Sequence, residues 1–119
     1  MKENILFICY TKCSTCEKAE KWLKNHGIIF TMRDIKENKP MSKELTSWYK
    51  ASGLPLKRFF NTSGNLYKAL HLKEKLQDMS ELEQLKLLAS DGMLVKRPIL
   101  VTKNFVLVGF REAEWQEKI

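Results

Sequence analysis

Cysteine, glycine and proline are all scarce in this chain, and their scarcity excludes several classes of protein. Three cysteines are too few, and odd in number, for a secreted scaffold held together by disulfides. With five glycines and three prolines, the sequence has no low-complexity tract and no linker-like stretch. No internal repeat is present either. We therefore expect one domain over residues 1–119.

Long apolar runs are also missing. The longest candidate near the N-terminus covers residues 5–10 and leads directly into Thr11 and Lys12, so we expect neither a signal peptide nor a membrane helix, which needs roughly 20 apolar residues. Hydrophobic residues make up 44% of the chain and charged residues 29%, which is typical of a globular domain rather than a disordered one. A cytoplasmic location without membrane contact is the resulting expectation.

Acidic residues are the minority among the charged ones, and the net charge is +7. Most of the excess consists of lysines spread along helix-like segments, which indicates either solvated faces or a field that attracts anions, nucleic acid or an acidic partner. No basic stripe is interleaved with aromatic residues, so direct nucleic-acid binding is not expected.

What the chain does contain is a pair of cysteines three positions apart, Cys13 and Cys16. They follow the apolar run 5–10 and precede a helix-like run over residues 17–26. Cys13 should therefore lie at a helix start, where amide N–H groups, the helix dipole and the charge of Lys12 favour a thiolate. Cys16 should lie one turn deeper as a resolving thiol. In a βαβ setting, this spacing predicts thioredoxin-like redox chemistry.

Half of a zinc site is the structural alternative for the same two cysteines. Two more ligands would be needed, and the candidates are Cys9, His26 and His71, none of them spaced as a ligand pair. We therefore predict no metal. Cys9 is interpreted as a small hydrophobe buried in a strand, and His26 as a partner of the helix C-terminus.

The order of the segments predicts an α/β domain with a mixed four-stranded sheet. Strand-like residues 5–10 and 28–35 flank the first helix, a helical insert covers about 41–92, and a hairpin with a Lys103-Asn104 turn joins runs 99–102 and 105–110. In the insert, Ser80 and Glu83 form a capping box for a helix expected to carry Leu82 among its apolar residues. A last helix covers 111–118. This βαβ, helical insert, ββα order is thioredoxin-like.

Arg97 and Pro98 lie just before the third strand, which in this architecture runs antiparallel to the first and brings Pro98 near the cysteines. A cis Arg97-Pro98 bond is plausible at this place. Arg97 is suited to bind an oxyanion through two hydrogen bonds or to stabilise a thiolate. Arg58 and Arg111 are weaker candidates for the same pocket.

Several motifs together resemble the glutaredoxin-coupled arsenate reductase (ArsC) family, which includes Spx-type regulators and uncharacterised reductase-like relatives. The resemblance runs over about residues 4–118 and rests on these segments: 7–16, 18–19, 22–23, 33–35, 53–55, 60–64, 67, 87–89, 96–99 and 108–110. It implies a thioredoxin-like fold with a helical insert, a nucleophilic Cys13 and an oxyanion-holding Arg97.

The cysteine turn distinguishes branches of this family. Arsenate-active members typically show Cys-Gly-Thr-Ser, whereas this chain has Ser14 and Cys16 at the second and fourth places. A Cys-x-x-Cys pair resembles the Spx-type regulators, which switch by forming the disulfide and bind RNA polymerase. The segment 61–64 resembles the uncharacterised reductase-like relatives more than the regulators.

The leading hypothesis is therefore a thiol-dependent reductase that acts on a small oxyanion or a disulfide. Cys13 attacks, Cys16 resolves and Arg97 stabilises the negative charge, while the predicted substrate-binding residues are Lys12, Ser14, Thr15, Arg58, Pro98 and Arg111. No bound cofactor is expected; an external thiol, either glutathione with glutaredoxin or thioredoxin, restores the pair. The alternative is a redox-sensing transcription regulator that binds RNA polymerase.

Overall fold

The computed structural model describes residues 4–119 as a four-stranded sheet with helices on both faces. The strands are β1 (Leu6–Cys9), β2 (Thr31–Asp34), β3 (Ile99–Val101) and β4 (Val106–Val108). The α-helices are α1 (Ser14–Asn25), α2 (Ser42–Ser52), α3 (Asn65–Ala69), α4 (Leu72–Lys75), α5 (Glu81–Ser90) and α6 (Glu112–Lys118). Short 3₁₀ turns cover Leu56–Phe59, Leu76–Asp78 and Gly92–Leu94. Within this described part of the chain, no helix combines the length and apolar character needed to cross a bilayer.

The sheet has the order β2-β1-β3-β4 and is mixed. β1 pairs in parallel with β2 and antiparallel with β3, and β3 pairs antiparallel with β4. The predicted thioredoxin-like α/β fold is confirmed. The second strand is shorter than the predicted range 28–35, because the chain at the start of that range is still hydrogen-bonded to the C-terminal end of α1. Gly27 has φ 67°, and the N–H of Ile28 donates to the carbonyl of Leu23 at 3.0 Å.

Two cores lie on opposite faces of the sheet, as the uninterrupted apolar pattern of the first strand predicts. Ile8 faces the insert and packs in a cluster that includes Leu45, Phe59, Leu88 and Ile99. The other face packs on α1 and α6, where the buried residues are Phe7, Cys9, Cys16, Ala19, Trp22, Leu23, Leu100, Leu107 and Trp115. The cysteines therefore belong to the core beneath α1, not to the insert.

The helical insert follows the predicted pattern with one correction. Ser80 and Glu83 form the predicted capping box, with the Glu83 N–H donating to Ser80 Oγ at 3.1 Å. Leu82, expected on the apolar face, is instead 61% exposed. Leu82 lies in the first turn of α5, and the helix buries Leu85 and Leu88 instead.

The two ends of the insert are held together by main-chain hydrogen bonds. Phe60 and Val95 form an isolated antiparallel bridge. Beside it, the Lys96 N–H donates to the Phe59 carbonyl and the Asn61 N–H to the Leu94 carbonyl, both at 2.8 Å. The segments at the two ends of the insert thereby become neighbours on one wall of the molecule.

An ion pair fastens α2 to β2. Arg33 donates from Nη1 and Nη2 to the two carboxylate oxygens of Glu44 at 2.6 and 2.9 Å. Its Nε also donates to the Asn38 carbonyl, and its Nη2 to the Lys39 carbonyl. The hydrogen bonds from Arg33 lower the pKa of Glu44 below its ordinary value. The two side chains are about a quarter exposed, so solvent screens their attraction only in part.

Replacing Glu44 by Gln should lower the free energy of unfolding by about 1–2 kcal/mol at neutral pH, because it removes a two-bonded charged acceptor. A carboxylate with a lowered native pKa stabilises above its unfolded pKa, and that contribution disappears as pH falls through the native value. The difference between wild type and Glu44→Gln should thus shrink below about pH 4.5, the ordinary Glu value. Urea denaturation at pH 7 and pH 3.5 measures it. Glu17→Gln, at the exposed Lys21–Glu17 ion pair of α1, is the control. An equal effect at both pH values would contradict the assignment.

Candidate active site

Cys13 occupies the N-cap position of α1, as the sequence predicts. Its backbone is extended (φ −105°, ψ 121°), its N–H donates to the Tyr10 carbonyl at 3.0 Å and its carbonyl accepts from the Glu17 N–H at 3.1 Å. The side chain is half-buried. The first-turn amides and the positive end of the helix dipole lie at this end of α1, where they favour negative charge.

Cys16 lies beneath Cys13 and is 3% exposed. Its Sγ accepts a hydrogen bond from the Tyr10 N–H at 3.3 Å and lies close to the thiols of Cys13 and Cys9. Contact with Cys9 and burial raise the pKa of the Cys16 thiol far above its ordinary value. All three cysteines are free thiols in the structure. The predicted redox pair thus consists of one half-buried thiol and one buried thiol close to each other.

Arg97 lines the same opening as Cys13, and its bond to Pro98 is cis, as the sequence suggests. The guanidinium lies over the Tyr10 ring, 5.2 Å from its centroid, and Nη1 donates to the Met93 carbonyl at 3.4 Å. Across residues 4–119, no carboxylate lies within 4.0 Å of this guanidinium. The Pro98 carbonyl accepts from the Gly109 N–H at 2.8 Å, so the residue before β3 is bonded to the residue after β4.

The space between these residues is a cleft of about 1120 Å³. Cys13 and Thr15 line one side, and the loop 60–66 lines another. Five basic residues line the cleft, namely Lys57, Arg58, Lys96, Arg97 and Arg111. The one acidic lining residue is Asp91. Asp91 is already engaged as a cap, accepting from the Met93 N–H at 2.9 Å. The cleft is therefore suited to anions.

The structure brings most of the predicted site residues together. Cys13, Thr15, Arg58, Arg97 and Arg111 all line the cleft, with Cys16 directly below Cys13. Arg58 and Arg111 thus line the pocket, although residue type and position in the sequence favour the surface for each.

Other predicted residues lie outside the cleft. Lys12 and Ser14 are exposed beside it but do not line it, and Pro98 is buried behind it. His26 stacks on Trp22 at 3.9 Å, at the far end of α1. These placements leave the roles predicted for Lys12, Ser14 and Pro98 as predictions.

Sequence reasoning missed Lys57, Lys96 and the loop around Asn61 as cleft residues. Each lysine directly precedes a predicted arginine, Arg58 or Arg97, and this doubling of charge is the signal that the sequence offers. Scattered lysines are otherwise typical of solvated faces. The two basic pairs line the same cleft because the ends of the insert are bridged, and no local signal in the sequence predicts that bridge.

For a metal ion, the described residues offer no suitable group of three or more His, Cys, Asp or Glu side chains. Cys9 and Cys16 belong to a mostly apolar core, against which Cys13 packs, whereas His26 lies at the other end of α1 and His71 at the start of α4. The two histidines and the cysteines therefore do not converge.

Comparison with known proteins defines the family. The ArsC family model matches residues 9–118, which is nearly the whole chain. The chain belongs to the ArsC family. The uncharacterized protein YusI of Bacillus subtilis (strain 168) is 53% identical over 114 residues, covering 96% of this chain and 97% of that protein. The regulatory protein MgsR of the same organism is 29% identical, with 96% and 89% covered.

Solved structures of ArsC relatives superpose closely. An ArsC family related protein from Bacteroides fragilis has a TM-score of 0.94 at 53% identity, with 96% of each chain covered. A possible arsenate reductase from Streptococcus mutans UA159 has a TM-score of 0.89 at 43% identity, covering 99% of this chain and all of the other. ArsC relatives therefore include both reductase-like and regulatory proteins. The choice between these two functions for this chain depends on the residues of its own site.

Proposed function

We propose that this ArsC-family protein is a thiol–disulfide oxidoreductase that uses Cys13 as nucleophile and Cys16 as resolving thiol. The observation that carries the proposal is the placement of the two thiols: Cys13 is half-buried at the start of α1 and lines a basic cleft, and the buried Cys16 lies one helical turn further on and close to it. A Cys-x-x-Cys pair at this spacing on a helix start is suited to close a disulfide.

The reaction takes two steps. The Cys13 thiolate attacks one sulfur of a disulfide substrate, forming a mixed disulfide and releasing the first substrate thiolate. Cys16 then attacks Cys13 Sγ, so that the Cys13–Cys16 disulfide forms and the second thiolate leaves. The substrate is reduced by two electrons and the cysteine pair is oxidised. An external thiol, either glutathione with glutaredoxin or thioredoxin, returns the pair to dithiol, a chemistry that fits the reducing cytoplasm.

The cleft favours an extended anionic substrate over a small oxyanion. A water molecule takes up about 30 Å³ in the liquid, so a tetrahedral oxyanion would fill only a small part of 1120 Å³. Five basic residues distributed along the cleft suit several negative groups rather than one. Arsenate stays a candidate substrate for the part of the cleft near Cys13 and Arg97.

The test compares disulfides of opposite charge. Wild-type protein with a thiol-recycling system should reduce the dianionic 5,5′-dithiobis(2-nitrobenzoate) with a much higher kcat/KM than the dicationic cystamine, corrected for their reactivities with free cysteine. Arg97→Ala should lower kcat/KM for the anion by about 10–100-fold, since a charge-assisted contact is worth about 1.5–3 kcal/mol. Lys24→Ala removes the same charge outside the cleft and is the matched control. Equal losses with both substrates would contradict recognition of anions by Arg97.

A second function, redox-dependent transcription regulation, is favoured by the 29% identity to MgsR. In that case the Cys13–Cys16 disulfide would change a surface that binds RNA polymerase. Pull-down with the reduced and oxidised protein separates the two functions. Capture of RNA polymerase in one redox state only, without reductase turnover, would replace the oxidoreductase proposal.

A further inference from the structure

Tyr10 connects the cysteine turn to Arg97 through its main chain and its ring. Its carbonyl accepts from the Cys13 N–H at 3.0 Å, and its N–H donates to Cys16 Sγ at 3.3 Å. The guanidinium of Arg97 lies over its ring, with Cζ 5.2 Å from the ring centroid. Both side chains are half-buried, and Tyr10 packs against the core on the insert side of the sheet. The two-step reaction itself gives Tyr10 no task.

The contact with the ring leaves the charge of Arg97 and most of its hydrogen-bond donors unused. A guanidinium has five N–H donors. Within the described part of the chain, the Met93 carbonyl is its one acceptor, at 3.4 Å, and no carboxylate pairs with it. An aromatic ring attracts a cation through its quadrupole but brings no opposite charge. Arg97 is therefore held in place and still able to bind an anion.

Arg33 shows the other use of a guanidinium over a ring. It lies 6.0 Å from the centroid of the Trp48 ring, but both carboxylate oxygens of Glu44 accept its hydrogen bonds. Its charge is thus neutralised, and it joins two elements of the fold. Arg97 has a ring but, among residues 4–119, no carboxylate, and it lines the cleft that Cys13 also lines. The two arginines differ in the property that anion binding needs.

We propose that Tyr10 is a positioning residue that holds the guanidinium of Arg97 at the cleft for recognition of the anionic substrate. A free arginine side chain has many rotamers, and the ring supplies the contact that favours one arrangement. Because the Tyr10 main chain is bonded to the cysteine turn, the ring fixes the guanidinium relative to Cys13. The inference rests on the proposed function, which supplies the anionic disulfide.

Tyr10→Leu removes the ring and keeps an apolar side chain against the insert core. The ratio of kcat/KM for 5,5′-dithiobis(2-nitrobenzoate) to kcat/KM for cystamine should fall by about 3–10-fold, the range expected for a cation–π contact. A purely structural defect would lower both values together and leave the ratio unchanged. Tyr10→Phe retains the ring and should keep the ratio within about 2-fold of wild type.

A double-mutant cycle tests whether Tyr10 acts through Arg97. Arg97→Ala lowers the same ratio, and adding Tyr10→Leu should lower it no further, because no guanidinium remains to be positioned. Equal falls in the wild-type and Arg97→Ala backgrounds would overturn the proposal. So would an unchanged ratio in Tyr10→Leu, or a ratio in Tyr10→Phe as low as that in Tyr10→Leu.

Tyr49→Leu is the matched control. Tyr49 is likewise a half-buried tyrosine that packs against the insert core, but it lies on α2 and its hydroxyl donates to Glu81 at 2.9 Å. Its loss should alter stability without altering the substrate ratio, and thermal denaturation compares the two leucine variants. If Tyr10→Leu does not fold, Tyr10→Met fills the site with a flexible apolar chain and replaces it in every comparison.

Alkylation of Cys13 gives a measurement that needs no disulfide turnover. The rate with anionic iodoacetate is divided by the rate with neutral iodoacetamide, and Cys13→Ser corrects for reaction at the buried cysteines. This ratio should fall in Tyr10→Leu and Arg97→Ala but not in Tyr10→Phe. An unchanged ratio in Tyr10→Leu would overturn the role of Tyr10. Failure of the wild type to reduce either disulfide would instead contradict the proposed function.

Discussion

Cys13→Ser should reduce disulfide turnover to background, a loss of at least about 10³-fold. A serine hydroxyl is not ionised at neutral pH and is a poor nucleophile towards sulfur, so no mixed disulfide can form. The N-cap position of α1 tolerates the change, because serine is itself a favoured cap. The variant should therefore fold like the wild type, and the loss should reflect chemistry alone.

Cys16→Ser is the matched variant within the same turn. It keeps the Cys13 nucleophile, so the first step should proceed and the protein should accumulate as a stable adduct with half of the substrate. Intact-mass spectrometry after addition of a disulfide detects this adduct, and dithiothreitol should remove it. Full turnover by Cys13→Ser, or an adduct on Cys16 in wild type, would contradict the assignment of attack to Cys13.

Gly92→Ala should lower the free energy of unfolding by at least about 3 kcal/mol, because overpacking against main chain has no easy relief. A Cβ at position 92 would overlap the carbonyl oxygen of Ile35 and lie 2.8 Å from its carbonyl carbon. These atoms belong to main chain that follows β2, so the two segments must separate. For a domain whose total stability is about 5–15 kcal/mol, this is a large fraction.

Gly27→Ala is the control for this prediction. Gly27 has φ 67°, but no atom lies within 4 Å of the position that an alanine methyl would occupy, so alanine there carries only the left-handed backbone cost of about 1–2 kcal/mol. Urea denaturation of both variants gives the comparison. A smaller loss at position 92 than at position 27 would show that the contact with Ile35 is relieved by small shifts.

The separation at Gly92 should also be visible in the cleft. Gly92 begins the 3₁₀ turn Gly92–Leu94, which is followed by the strand-like residues that carry Lys96 and Arg97. If Gly92→Ala remains folded, its kcat/KM for anionic disulfides should fall more than for cystamine, because the guanidinium of Arg97 is displaced from the opening.

Local signals in the sequence account for most of the fold and for the reactive pair. The apolar run at residues 5–10, the capping box at Ser80 and the Arg97-Pro98 pair each depend on neighbouring residues, and the structure confirms the elements they predict. The spacing of Cys13 and Cys16 likewise determines their placement on one helix turn.

Features that depend on distant contacts were not predictable in this way. Leu82 follows the apolar pattern of its helix, yet α5 buries the face of Leu85 and Leu88 against the rest of the insert core. Lys57 and Lys96 are 39 positions apart and line the same cleft only because a main-chain bridge joins the two ends of the insert. Cys9, at the end of β1, lies in the same buried cluster as Cys16 in the first turn of α1, and no periodicity within either segment predicts this proximity.

The main-chain bridge between Phe60 and Val95 has a consequence for binding. It fixes the wall that carries Arg58 to the wall that carries Arg97 before any substrate arrives. Ligand ordering of loops commonly consumes part of the interaction energy, and a preorganised wall avoids that entropy loss. For the proposed anionic substrates, we therefore expect the spacing of the cations on this joined wall to contribute to selectivity without an ordering cost at the bridge.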